Sequence, residues 1–189
     1  MLAFIQRLAN GIWLVPVFLL LLSLPTARAD FEVIEGSFVT ERGRLRADAK
    51  LNLTLDKALE EAVLSGIPLI LSFEIRLYRL HTYLWKERVA NWQYLYTLEY
   101  HGLSGRFTLE HKASGQLETF ATLIETLDSI SNIRTLEQLP DTIRDDDQLQ
   151  ARLRVRLAKD NLPAPLRLLA VFFPSWRPDS NWHQWNVAP

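Results

Sequence analysis

Residues 44–55 alternate without a break. Leu45, Ala47, Ala49, Leu51, Leu53 and Leu55 take one parity, and Arg44, Arg46, Asp48, Lys50, Asn52 and Thr54 take the other. A side-chain period of two belongs to a strand with one face buried and one in water. A chain built from such strands must lay apolar face on apolar face, which restricts it to sandwiches, barrels or a curved sheet closed by helices. The same period recurs in Leu69, Leu71, Phe73, Ile75 and Leu77, with Ser72, Glu74 and Arg76 pointing outward. It returns in Trp92, Tyr94, Tyr96, Leu98 and Tyr100, and in Leu149, Ala151, Leu153, Val155 and Leu157.

Turn chemistry joins these runs. Glu41-Arg42-Gly43 connects a first strand, Phe31 to Thr40, to the one after it, and Gly36 marks a bulge in the first. Asp56 is placed to cap a short helix through Ala58, Leu59, Ala62 and Val63, ended by Gly66. Gly102-Leu103-Ser104-Gly105 turns a hairpin whose return strand carries Phe107, Leu109 and His111. Beyond Gly115 the spacing of Leu117, Phe120, Leu123, Ile124 and Leu127 predicts an amphipathic helix of about three turns. Ile133 to Pro140 reads as a connector. Pro163, Pro165, Pro174 and Pro178 forbid a central strand in the tail, although a short helix fits after Pro165 and an edge strand fits Trp182 to Val187. The expected fold is α+β and mainly antiparallel: six or seven strands in a β-sandwich-like or curved sheet with one or two packed helices.

The start of the chain has a different character. Arg7 precedes the apolar run Ile12 to Leu24, which is short of the roughly 20 residues that span a bilayer as a helix. Pro25 breaks the run and Ala27-Arg28-Ala29 supplies small residues around a cleavage site. Residues 1–29 therefore read as a signal peptide cleaved after Ala29, and residues 30–189 as one β-rich envelope domain in the periplasm, with no transmembrane helix after cleavage. Arg7 and Arg28 leave with a leader that carries no acid, so the formal net charge moves from −1 to −3. A weakly acidic domain is a poor match for nucleic acid. Cys is absent and Met1 is the single Met, which removes disulfides, thiol catalysis and sulfur metal sites.

The four histidines, His81, His101, His111 and His183, lack the spacing that puts two imidazoles on one metal. Asp145-Asp146-Asp147 lacks the alternating oxygens and glycine of a calcium loop. Ser104 sits in a hairpin turn and not in a strand-to-helix elbow. No phosphate loop or dinucleotide fingerprint is present, so no metal, cofactor or catalytic residue is assigned. The outward feature with most chemistry is Arg152, Arg154 and Arg156, which a strand sets about 7 Å apart in one row, a spacing suited to carboxylates, phosphates or an acidic strand. Glu74, Glu99 and Glu110 are candidate cross-strand partners for such arginines. A second patch, Tyr83, Trp85 and Arg88 with Arg79 and Lys86, falls in the loop between the two long strands and is suited to a membrane surface or a partner. Trp176, Trp182 and Trp185, with Tyr94 and Tyr96, are candidates for a ligand platform.

The run Leu162-Pro163-Ala164-Pro165-Leu166-Arg167, followed by a tail with Trp182 and Trp185, resembles an uncharacterised family of bacterial envelope proteins, a domain of unknown function sometimes labelled proline-rich signal peptide protein. The hairpin strand Trp92 to Tyr100 and the strand Arg152-Leu153-Arg154-Val155-Arg156-Leu157 share in the resemblance. These motifs are structural, so the resemblance implies no active site. It implies a role associated with envelope sensing, with an envelope or inner-membrane protein as partner, since in similar proteins the gene often sits beside a membrane sensor kinase. Composition, pattern and resemblance together lead to a periplasmic binding or interaction module without enzymatic activity. Two readings stand beside it: a carrier of an apolar ligand, and an envelope glycan or lipid hydrolase built on gathered carboxylates.

Overall fold

The computed structural model describes residues 30–81, 85–144, 146–158 and 178–188. Among them are nine strands and two helices. Strands β1 (Asp30–Glu41), β2 (Arg44–Thr54) and β7 (Asn132–Gln138) form a three-stranded sheet in the order β1-β2-β7. The second sheet has six strands in the order β6-β5-β4-β3-β8-β9, from β3 (Leu69–Leu80), β4 (Lys86–His101), β5 (Arg106–His111), β6 (Gln116–Phe120), β8 (Leu149–Leu157) and β9 (His183–Asn186). All pairings within the two sheets are antiparallel. The sheets face one another without closing into a barrel, so the fold is an α+β sandwich.

The alternation seen in the sequence becomes the core. Leu45, Ala47, Ala49, Leu51 and Leu53 of β2 face Leu71, Phe73, Ile75 and Leu77 of β3 and Ala151, Leu153, Val155 and Leu157 of β8, all buried in one cluster. Helix α1 (Lys57–Leu64), which joins β2 to β3, adds Leu59, Ala62 and Val63 to the same core and lies near β4. Its cap is the Asp56 carboxylate, which accepts from the Leu59 N–H at 2.9 Å, and Gly66 leaves it at φ +82°. Helix α2 (Leu123–Ser129) begins at a capping box between Thr122 and Glu125 and packs beside β5 and β6.

Four expectations are corrected. The bulge in β1 lies between Val33 and Glu35, ahead of Gly36. It switches the inward parity from Phe31 and Val33 to Phe38, as one extra residue must. The helix expected after Gly115 is split: Gln116–Phe120 is strand β6, because Gly115 at φ +67° turns the chain straight back along β5. Leu117 and Ile124 are consequently exposed. The connector from Ile133 is strand β7, whose inward positions include Thr135 and Glu137 and so lack an apolar stripe. Arg88 and Lys86 belong to β4, which starts five residues earlier than the alternation from Asn91 suggests, leaving only residues 81–85 between the long strands. The strand count rises accordingly from six or seven to nine.

Gly36 has another use. A Cβ there would stand 2.9 Å from Cζ2 of Trp185, so the missing side chain is what lets the indole lie across β1 against Phe38, 5.2 Å away. Gly36→Val should cost about 1–3 kcal/mol by overpacking, seen as a lower thermal midpoint. Gly102→Ala, where the nearest atom is 4.0 Å away, should change it little. Equal midpoints for the two variants would contradict this packing.

Candidate functional site

Strands β3 and β8 lie side by side in the larger sheet, and one carboxylate on their outer faces stands among four arginines. Glu74 pairs with Arg154, Ser72 with Arg156 and Arg76 with Arg152. The Glu74 carboxylate is the focus of this face. Oε1 accepts from Nε of Arg156 at 2.9 Å, while Arg154 and Arg76 reach Oε2 at 3.2 and 3.0 Å. A carboxylate has room for about four such bonds, and the three guanidinium groups nearly fill it. The Glu74 side chain is 6 % exposed, against 20 % for Arg154 and 31 % for Arg156. The sequence reads Glu74 and Arg76 as solvent-facing. The structure instead covers the Glu74 position, because long arginine stems from the neighbouring strand fold over it.

Burial by itself would raise the Glu74 carboxyl. The positive charge of Arg154, then the hydrogen bond and charge of Arg156, outweigh that penalty and hold it below its ordinary value. The cluster extends to Trp182, just before β9, whose ring lies 4.3 Å from the Arg76 guanidinium and 4.4 Å from that of Arg154. Arg154 also stands 3.6 Å from Asp179. Arg152 lies 4.8 Å from the Tyr78 ring and, among the described residues, touches no carboxylate. Among the described residues three guanidinium groups therefore share two carboxylates, and the fourth, Arg152, has none. The Nε atoms of Arg76, Arg152 and Arg154 are buried without a partner, donors held away from water and left unspent.

The other residues singled out in the sequence do not join this cluster. Trp182, just before β9, and Trp185, within it, point to opposite sides: Trp185 packs inward on Phe38 and Trp182 outward under arginine. Trp176 and Tyr83 lie outside the described residues, as do Pro163, Pro165 and Pro174. Trp85 is exposed at the tip of the β3–β4 hairpin, and Arg88 follows on β4, opposite Tyr78. Tyr94 and Tyr96 point into the sandwich. The Tyr94 hydroxyl donates to Glu137 of β7, and Tyr96 stacks on His111 at 4.8 Å. Burial, followed by the Glu137 contact, pushes the Tyr94 phenol well above its ordinary value, which keeps it a donor throughout the physiological range. Among the described residues no single aromatic platform forms from this set. Among the described residues no three of His, Cys, Asp and Glu gather as metal ligands.

Arg76, Tyr78 and Trp182 are the members of this face that an arginine row alone does not announce. The available signal is register: Arg76 follows Glu74 by two, so antiparallel pairing of β3 with β8 brings all four arginines together.

Glu74→Gln should destabilise the fold by about 3 kcal/mol, since it leaves converging charges without their counter-charge. The Glu74 carboxyl is lowered in the folded state. Its stabilisation is thus present above the ordinary value of 4.5 and is lost as pH falls through the lower folded value. The wild-type thermal midpoint should drop across that acidic range, and Glu74→Gln should flatten this part of the drop. Parallel pH profiles would contradict the assignment.

Comparisons with known proteins bear on the whole sandwich. Searches of curated proteins and of solved structures found no match. A family model described as Domain of unknown function (DUF4390) matches residues 28–186, from just before β1 to the end of β9. The match covers both sheets and the Glu74–arginine face, and the chain belongs to this family.

Proposed function

We propose that this protein is an exported binding module of the bacterial periplasm, without enzymatic activity, and that it grips an acidic segment of an envelope or inner-membrane protein on the outer face of its larger sheet. The observation that carries this reading is the surplus of guanidinium over carboxylate around Glu74. These arginines are already partly desolvated and oriented, so a ligand carboxylate pays little for fixing them. Arg152 is the group best placed to accept it, with Arg154 and Arg156 flanking it along β8. Export is supported by the leader pattern of residues 1–29, and an envelope partner by the resemblance carried in the strands and the tail.

Arg152→Glu reverses charge on this face without removing any of the guanidinium groups that contact Glu74. Affinity capture from crosslinked envelopes, read by mass spectrometry, should recover a protein with an acidic segment, and Arg152→Glu should reduce its recovery about tenfold. Arg106→Glu on β5, an exposed arginine elsewhere on the sheet, is the control and should not. Identical recovery with all three would sink the reading. Separately, N-terminal sequencing of the protein from cells should begin at Asp30, and a start at Met1 would contradict export with cleavage.

A further inference from the structure

The end of the sandwich opposite α1 is open. The β1–β2 turn, residues 139–144 and 146–148, and the adjoining ends of β3, β8 and β9 surround a cleft of about 1100 Å³. Its walls carry Leu80, Leu139, Pro140, Ile143, Leu149 and Val187. The lining also carries Arg42, Arg44 and Arg144, all exposed, against the carboxylates Asp141 and Asp147. Asp147 is already engaged: it accepts from Nε of Arg79 at 2.9 Å and from the Arg144 backbone N–H at 2.9 Å. Among the described residues none of the three rim arginines has a carboxylate partner, so the rim is positive over an apolar wall.

The cleft is braced before any ligand arrives. Leu139 N–H donates to Gly43 O at 3.0 Å, Leu80 N–H to Gln148 O at 2.8 Å and Val187 N–H to Leu149 O at 3.0 Å. Arg79 ties the segment from Thr142 to Asp147 onto β3. Its volume is that of a small-molecule site and not of an ion site.

We infer that this cleft binds a single-chain amphiphile with an anionic head, the chain lying against Leu80, Leu139, Ile143 and Val187 and the carboxylate or phosphate held by Arg42, Arg44 and Arg144. A wholly apolar ligand would leave three guanidinium groups unused, and a small free anion would leave the apolar wall wet. The site lies apart from the Glu74 face, and its fate is independent of the partner proposed there.

The test is methyl and amide NMR of the purified protein, titrated below micelle formation with sodium dodecanoate, dodecyl phosphate, dodecanol and inorganic phosphate. Dodecanoate and dodecyl phosphate should shift the methyls of Leu80, Leu139, Ile143 and Val187. Dodecanol should bind about tenfold more weakly, and inorganic phosphate should leave these methyls unmoved. The triple variant Arg42→Asn, Arg44→Thr, Arg144→Ser should lose the preference for the charged head while its spectrum keeps the fold. Asn suits position 42, where φ is +51°. Ile143→Trp, which fills the wall and spares the arginines, should weaken every dodecyl ligand. Absence of methyl shifts with dodecanoate, equal affinity for dodecanol, or an unchanged preference in the triple variant would each overturn the proposal. So would association with anionic vesicles in the absence of dodecanoate binding, which would make this end a membrane contact.

Discussion

A single carboxylate holds the outer face of the larger sheet together. Glu74 stands on β3, between β4 and β8, with Leu71, Phe73, Ile75 and Leu77 filling the other side of the same strand. Both faces of β3 are therefore removed from water at its centre. One is removed by apolar packing; the other is removed because Arg76, Arg154 and Arg156 converge on Glu74 and Trp182 lies against two of them. Without the carboxylate the guanidinium groups would repel one another at short range with little water to screen them. With it, they are held together and still exceed the negative charge that holds them, so the device that completes this sheet face is also the surface proposed above for binding.

The rest of the sandwich is arranged around that strand. On one side the chain after β9 crosses between the sheets: Val187 donates to Leu149 of β8, and Ala188 exchanges hydrogen bonds with Phe38 and Thr40 of β1. On the other side the Tyr94–Glu137 contact spans from β4 to β7 and α2 packs beside β5 and β6. Helix α1 fills one end with Leu59, Ala62 and Val63. The remaining end carries hairpin turns and polar loops and stays open as the cleft. The two candidate sites thus have different origins. One arises from charge that the sheet must neutralise, the other from an end that no helix covers.

How much of this was legible followed the physics of each segment. Strands with one apolar face announced themselves, as β2 and β8 did through unbroken alternation of leucine, alanine or valine with polar residues. So did the Asp56 cap and the turn at Gly43, where a local backbone requirement selects the residue. Strand β7 stayed hidden because its inward positions include Thr135 and Glu137, and the partner that accommodates Glu137, Tyr94, is one that only tertiary pairing creates. Strand β6 was hidden by a coincidence of period: Leu117, Phe120, Leu123 and Ile124 are spaced for a helix, and the tight turn at Gly115 overrides that spacing. The arginine row on β8 was visible, but its grip on Glu74 depends on register with a strand some 80 positions earlier. Local pattern carries no such register. The separation of Trp182 from Trp185 was implicit in the two-residue period of β9 once that segment is a strand.

The claim that Glu74 organises the arginine face is tested most directly by a double-mutant cycle in urea unfolding, with Glu74→Gln, Arg154→Gln and the two combined. If the carboxylate and the guanidinium depend on one another, the double variant will be less destabilised than the sum of the singles by about 2 kcal/mol. Additivity within about 0.5 kcal/mol would mean the two groups act independently, and the central place given to this carboxylate would be wrong.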